Sequence, residues 1–250
     1  MQRENAAIAL AHSRYFALDA LRGLAVVAMV LYHACFTFGE IYGGAVWTKA
    51  YAALAPVQPW IAVTFILICG ICASLARSNW RRGLRLLIAA VLVSVVTWGL
   101  DQRIPGTFIS FGILHFLAVS MLLFAPLRGL LRKIPALPQL LMFLAAFLVL
   151  LLVFDNGSLP LPQTDHFALY ILGFPSATLR SADYFALLPW IFLFFAGTGI
   201  GIYGARGRFP AFLRRDVCKP MQWIGRHAFW IYLAHQPVLV FLGYFLFGTV

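Results

Sequence analysis

Charge is scarce in this sequence. Asp, Glu, Lys and Arg make up 11% of its 250 residues, and only eight of them are acidic. Soluble domains carry about a quarter charged residues, so a water-soluble globular fold is excluded. The four cysteines form no framework. Cys69 and Cys72 make a C-x-x-C inside an apolar run, with no second pair or flanking histidine to complete a metal site, so none is expected. Cys35 is likewise in an apolar run and Cys218 in a basic loop. The net charge of +11 comes without any basic run interleaved with aromatics, so nucleic acid is not an expected partner. Internal repeats and low-complexity tracts are absent. Met1–Ala17, a leader carrying Arg3 and Arg14, lacks a short apolar core followed by a small-residue cleavage site and reads as uncleaved.

What the chain has in abundance is hydrophobicity: 62% of residues, with a mean hydropathy of +0.88. A spanning helix needs about 20 apolar residues. The pattern predicts an all-α polytopic membrane protein, a bundle of about seven transmembrane helices in one domain over 1–250. The expected spans are 18–38, 60–76, 84–100, 108–127, 139–154, 184–203 and 223–247. Gly39–Pro59 reads as a loop, and Pro105-Gly106 as a turn. Asp155–Asp183 is the longest connection, with an interfacial apolar piece at His166–Phe174.

Of the nineteen Lys and Arg, all but Lys49, Arg103 and Arg180 fall on one side of this arrangement. Glu40, Asp101, Asp155, Asp165 and Asp183 fall on the other. By the positive-inside rule the N-terminus is cytoplasmic and the C-terminus outside. The bilayer expected is the bacterial cytoplasmic (inner) membrane.

The first span, LDALRGLAVVAMVLYHACFTF, carries three ionisable groups: Asp19, Arg22 and His33. On the helical wheel Arg22 lies about 20° from His33 and Asp19 about 40° to the other side, so the three form one stripe. Arg22 and His33 are about 16 Å apart along the axis. Charged groups inside a membrane face a bundle interior or a wet cavity and mark pathways or sites. The alternative is an interfacial Asp–Arg pair plus a satisfied buried histidine.

Two further histidines reach a similar depth. His33 lies about 22 Å above the inner face, and His235 about 18 Å. His115 lies about 10 Å below the outer surface, which in a core of about 30 Å is the same level. Three helices thus bring histidines to one level, which argues for a shared cavity. Gln236-Pro237 follows His235, and proline there frees a carbonyl. Asp183, Tyr184 and Trp190 stand at the outer start of the sixth span, and Arg22 and Arg226 near the inner ends of the first and seventh. Tyr184 and Trp190 also fit interfacial aromatics, and Arg226 one more positive-inside residue.

Arg22, ten residues, then His33 resembles the R-x10-H signature of transmembrane acyltransferases that modify envelope glycans. LDALRGLAVVAMVLYH, ISFGILHFL, DYFALLPWIFLFFAGTGIG and IGRHAFWIYLAHQPVL resemble, in order, the motifs of bacterial proteins similar to the heparan-alpha-glucosaminide N-acetyltransferase catalytic domain. That resemblance implies acetyl-CoA or another acyl-CoA as cytoplasmic donor, and an amine or hydroxyl of a glycan or other envelope acceptor on the far side. It departs at one point. In the lysosomal enzyme an asparagine matches His33 and the essential histidine sits in the first luminal loop. Here Gly39–Pro59 contains no histidine, so the heparan substrate does not carry over.

On this reading Arg22 and Arg226 hold the donor phosphates through charge-assisted bonds. His33 is general base or acyl carrier. Asp183 and His235 orient the reaction, while His115, Tyr184, Trp190 and Gln236 contact the acceptor. The oligomeric state is left open, a homodimer being compatible. The rival readings are a haem-b protein with two axial histidines and a transporter, which the lack of repeat symmetry disfavours.

Overall fold

The computed structural model describes residues 14–104, 106–155 and 162–248. Arg3 and most of the leader, Pro105 of the expected turn, and the stretch 156–161 of the long connection lie outside the described residues. Among the described residues all regular structure is helical. Six helical segments are long and apolar enough to cross a membrane, and Trp190–Ala205 is a shorter apolar helix. The chain is an integral multi-pass membrane protein. It divides into two compact units, one built from residues up to Ile68 and from Gly207 onward, the other from Cys69–Arg206.

In the first unit, α1 is Phe16–Phe36 and widens into a π turn at Thr37–Ile41. Its Leu-, Ala- and Met-rich sequence favours a helix. Leu18, Asp19, Gly23, Ala25 and Val26 are buried, whereas Leu21, Leu24 and Leu31 are exposed, as expected where lipid is the solvent. The expected loop 39–59 is instead largely helical: α2 is Ala45–Leu54, followed by a 3₁₀ turn at Ala55–Val57 and then by α3, Gln58–Leu75. Alanine-rich AVWTKAYAAL has ample helix propensity, which outweighs the glycines before it.

The expected seventh span is two helices, α9 (Lys219–Arg226) and α10 (Ala228–Phe247). They part at His227, whose backbone leaves helical geometry. The break lets α9 cross α1 with the backbones almost touching: Gly23 lies against the Met221 carbonyl and Gly225 against the Asp19 carbonyl. Further along, α10 packs on the end of α1. The Tyr42 hydroxyl donates to the Val240 carbonyl at 2.7 Å, over Gly243.

The second unit contains the end of α3, then α4 (Asn79–Asp101), α5 (Ile113–Leu131), α6 (Ala136–Asp155), α7 (Phe167–Leu172) and α8 (Trp190–Ala205). Glycines again set the close approaches, Gly70 against the Phe194 carbonyl and Gly201 against the Ile71 carbonyl. Three successive carbonyls at the C-terminus of α3 receive side chains: Arg82 donates to Cys72, Asn79 to Ala73 and Arg128 to Ser74. Cations at a helix C-terminus are favoured by its partial negative charge. Basic residues that mark topology in the sequence thus also close helix ends. In the interior, Ser74 Oγ donates to the Thr198 carbonyl and Gln139 Nε2 to Thr198 Oγ1, at 2.9 and 3.0 Å.

The expected fourth and sixth spans begin five and six residues late, at Ile113 and Trp190. The extended stretches ahead of them bond each other instead. Ala182 N–H donates to Phe108 O at 2.8 Å, and Phe185 N–H to Phe111 O at 3.2 Å.

Candidate active site

In the first unit, α1 and α10 bring His33 and His235 side by side. The ring centroids are 5.0 Å apart, edge to face at 66°. His235 is buried. Its Nδ1 is bonded to the Tyr232 carbonyl. A carbonyl only accepts, so Nδ1 carries the hydrogen, and in the neutral ring Nε2 keeps its lone pair. The imidazole is therefore both aimed and basic at Nε2. Pro237, inside α10, has no N–H for the Leu233 carbonyl.

Aromatic rings flank the pair. Tyr32 lies 5.9 Å from His33 and 5.2 Å from Tyr51, and Phe36 lies 5.5 Å from Tyr51. Tyr51 comes from α2, which stands where a loop is expected from the sequence. One turn beyond His33, Thr37 is fully buried and its Oγ1 accepts from Gln236 Nε2 at 3.1 Å. Gln236 Oε1 is buried with no partner among the described residues.

At the other end of the stripe, buried Asp19 receives Arg14 Nε at 2.6 Å and Arg22 Nη1 at 3.5 Å. Arg22 also donates to the Gly225 carbonyl at 3.3 Å, tying α1 to α9. Arg226 is exposed and donates to the Gln222 carbonyl. Arg214 lies over the Tyr15 ring at 5.2 Å. Several guanidinium groups therefore share this unit; Asp19 pairs with Arg14 and Arg22, and Asp216 with Lys219.

The histidine pair lies on the seam between α1 and α10, and Arg22 stands about 16 Å from His33 along α1. The family model described as heparan-alpha-glucosaminide N-acetyltransferase, catalytic, matches residues 14–237. The chain belongs to this family. No curated protein and no solved structure matches the chain. Membership in the heparan-alpha-glucosaminide N-acetyltransferase catalytic family makes it a membrane acetyltransferase-like protein and implies acetyl-CoA as co-substrate in general. Among the described residues no group of three His, Cys, Asp or Glu is placed to hold a metal. The edge-to-face histidines do not suit a bis-imidazole haem, which needs both ring nitrogens to point at one iron from opposite faces of the macrocycle.

The remaining site candidates of this N-acetyltransferase-family chain lie in the second unit. His115 is buried, and its Nδ1 accepts from Gly112 N–H at 3.3 Å. Ser94 Oγ donates its single hydrogen to the Ile109 carbonyl at 2.7 Å and lies 3.2 Å from His115 Nε2. Nε2 therefore carries the hydrogen and donates to Ser94. Both nitrogens of His115 are thus taken up by the protein.

Asp183 Oδ2 accepts from Ile113 N–H at 3.0 Å, closing the start of α5 in place of the side chain that Gly112 lacks. A Cβ on Gly112 would fall 2.5 Å from Asp183 Oδ2 and 3.0 Å from its carboxyl carbon, so a larger residue there would push this carboxylate from the helix start. Tyr184 stacks on Tyr170 at 4.5 Å and donates to its carbonyl. Burial first, and the neighbouring Tyr170 second, push the Tyr184 phenol up to about 12. Trp190 opens α8 and packs on Phe147 and Phe185, both at 5.5 Å.

Sequence reasoning missed Thr37, Tyr232, Ser94 and Tyr51. Thr37 and Tyr232 carry a signal, standing one helical turn from His33 and His235 on the same faces. Ser94 carries none, because its partners come from another helix and a loop.

Proposed function

We propose that the chain is an acyltransferase of the bacterial inner membrane that moves an acyl group from cytoplasmic acyl-CoA to an amine or hydroxyl of an envelope acceptor. The basic asymmetry of the sequence supports the orientation. On this reading the donor enters on the side of Arg22, Arg226 and their neighbours, where guanidinium groups suit phosphates.

The observation that carries the reading is the His33–His235 pair with the tautomer of His235 set by Tyr232. One imidazole lone pair takes the proton from the acceptor N–H or O–H as its heteroatom attacks the thioester carbonyl. The new C–N or C–O bond forms, the C–S bond breaks, and the imidazolium returns the proton to the departing CoA sulfur. His33, with no hydrogen bond among the described residues, is free to turn toward the acceptor, and the oriented His235 lies beside it to share the proton. We assign Asp183 and His115 to holding the start of α5, because the atoms they would use on a substrate are bonded to backbone and Ser94.

The test is transfer by purified protein with acetyl-CoA and glucosamine, read as thiol release and as acetylated product. His33→Ala and His235→Ala are expected to lose 10²- to 10⁴-fold in turnover, about the scale of a lost general base. The melting temperatures of the same samples are measured alongside. A stably folded His33→Ala, His235→Ala double variant with full turnover refutes the reading.

A further inference from the structure

Two consecutive residues of α10 meet one residue of α1 and the first residue of the π turn that follows it. His235 meets His33, and Gln236 meets Thr37. Four residues along a helix rise about 6 Å, so the amide stands within one small molecule's length of the imidazoles. Gln236 spends its N–H on Thr37 Oγ1, and this leaves Oε1 buried and without a partner among the described residues. An unpaired buried acceptor is costly, and more so where no bulk water is at hand. The widening of α1 into a π turn begins at Thr37 itself, and such turns recur at functional sites.

We infer that Thr37 and Gln236 form an acceptor cradle in which Gln236 Oε1 receives a second N–H or O–H of the molecule being acylated. This rests on the acyl-transfer reading and adds to it a demand on the substrate. One hydrogen of the acceptor goes to the base, so an isolated alcohol has none left for Oε1. A primary amine, a vicinal diol or a 1,2-amino alcohol has one. Gln236 touches the acceptor; Thr37 is a positioning residue that fixes which way the amide faces.

Steady-state kinetics with acetyl-CoA and glucosamine test this on the full chain. Gln236→Met and Thr37→Val are expected to raise the KM for glucosamine about tenfold, the scale of one hydrogen bond, with the KM for acetyl-CoA within twofold. Thr37→Ser, which keeps the hydroxyl, restores the unaltered glucosamine KM. Gln236→Met is expected to melt no lower than the unaltered protein, because the orphan oxygen is gone. Unchanged glucosamine KM in Gln236→Met overturns the cradle, as does a lowered melting temperature with both KM values intact. Thiol release by the unaltered protein, with the glucosamine KM unchanged in both Gln236→Met and Thr37→Val, fails this inference alone and leaves the acyl-transfer reading standing. If the unaltered protein releases no thiol from acetyl-CoA with glucosamine or with any other amine, amino alcohol or diol acceptor, the acyl-transfer reading falls and takes the cradle with it.

Discussion

Gly225→Ala is the sharpest single test of how the arginine end of the stripe is held. A methyl on Gly225 would sit 2.8 Å from the Asp19 carbonyl carbon and 2.9 Å from the Gly23 nitrogen, and closer still to the Asp19 oxygen. Ordinary contacts begin at about 3.4 Å, and all of these neighbours are backbone, which cannot swing aside as a side chain can. α9 must therefore back away from α1 or lose its register. Overpacking in a tight interior costs about 1–3 kcal/mol, and the clash with fixed backbone places this variant at the upper end. Separation of the helices also lengthens the 3.3 Å bond from Arg22 to the Gly225 carbonyl, so, if Arg22 holds the donor as proposed, acetyl-CoA affinity is expected to fall together with stability.

The control is Gly129→Ala, in α5, where nothing lies within 4 Å of the added carbon. Glycine in a helix interior costs about 0.5–1 kcal/mol relative to alanine, so that variant is expected to melt at or above the unaltered protein. Thermal unfolding of both in detergent, with acetyl-CoA binding by calorimetry, reads the comparison. Gly225→Ala with an unchanged melting temperature would refute the close α1–α9 crossing.

Two other outcomes follow from the proposed topology and the outer loops. In a background freed of Cys35, Cys69, Cys72 and Cys218, a cysteine replacing exposed Asp165 is expected to react with an impermeant maleimide from outside intact cells. One replacing exposed Arg215 is expected to react only after lysis, and the opposite pattern reverses the donor side. Tyr184 is held neutral in the fold, its pKa raised to about 12 from an ordinary 10.0. Its contribution is therefore fully present below pH 10 and is lost as pH rises toward 12, because the unfolded chain ionises first. Absorbance of the phenolate at alkaline pH should lose one late-titrating component in Tyr184→Phe; an unchanged titration curve would count against the stack on Tyr170.

The presence of about seven apolar helices and the Asp19–Arg22–His33 stripe were legible in the sequence because both are local. Composition decides whether a segment prefers lipid, and a period of 3.6 decides which of its side chains share a face. Family membership was legible for a related reason: its motifs are short and follow one another in order. Helix ends were less so. The start of α5 at Ile113 depends on a distant Asp183 carboxylate and on residues 181–185 pairing with 108–111.

The partnerships within the site were not legible at all. Depth along the spans put His33, His115 and His235 at one level, but depth says nothing about which helices adjoin. Tertiary structure sets His235 beside His33, in the first unit, and gives His115 to Gly112 and Ser94 in the second. It also joins Gln236 to Thr37 across 199 residues. Such pairings depend on where small residues let backbones meet, Gly23 and Gly225 above all. Only the folded chain decides them, because hydrophobic periodicity marks a buried face without naming its partner.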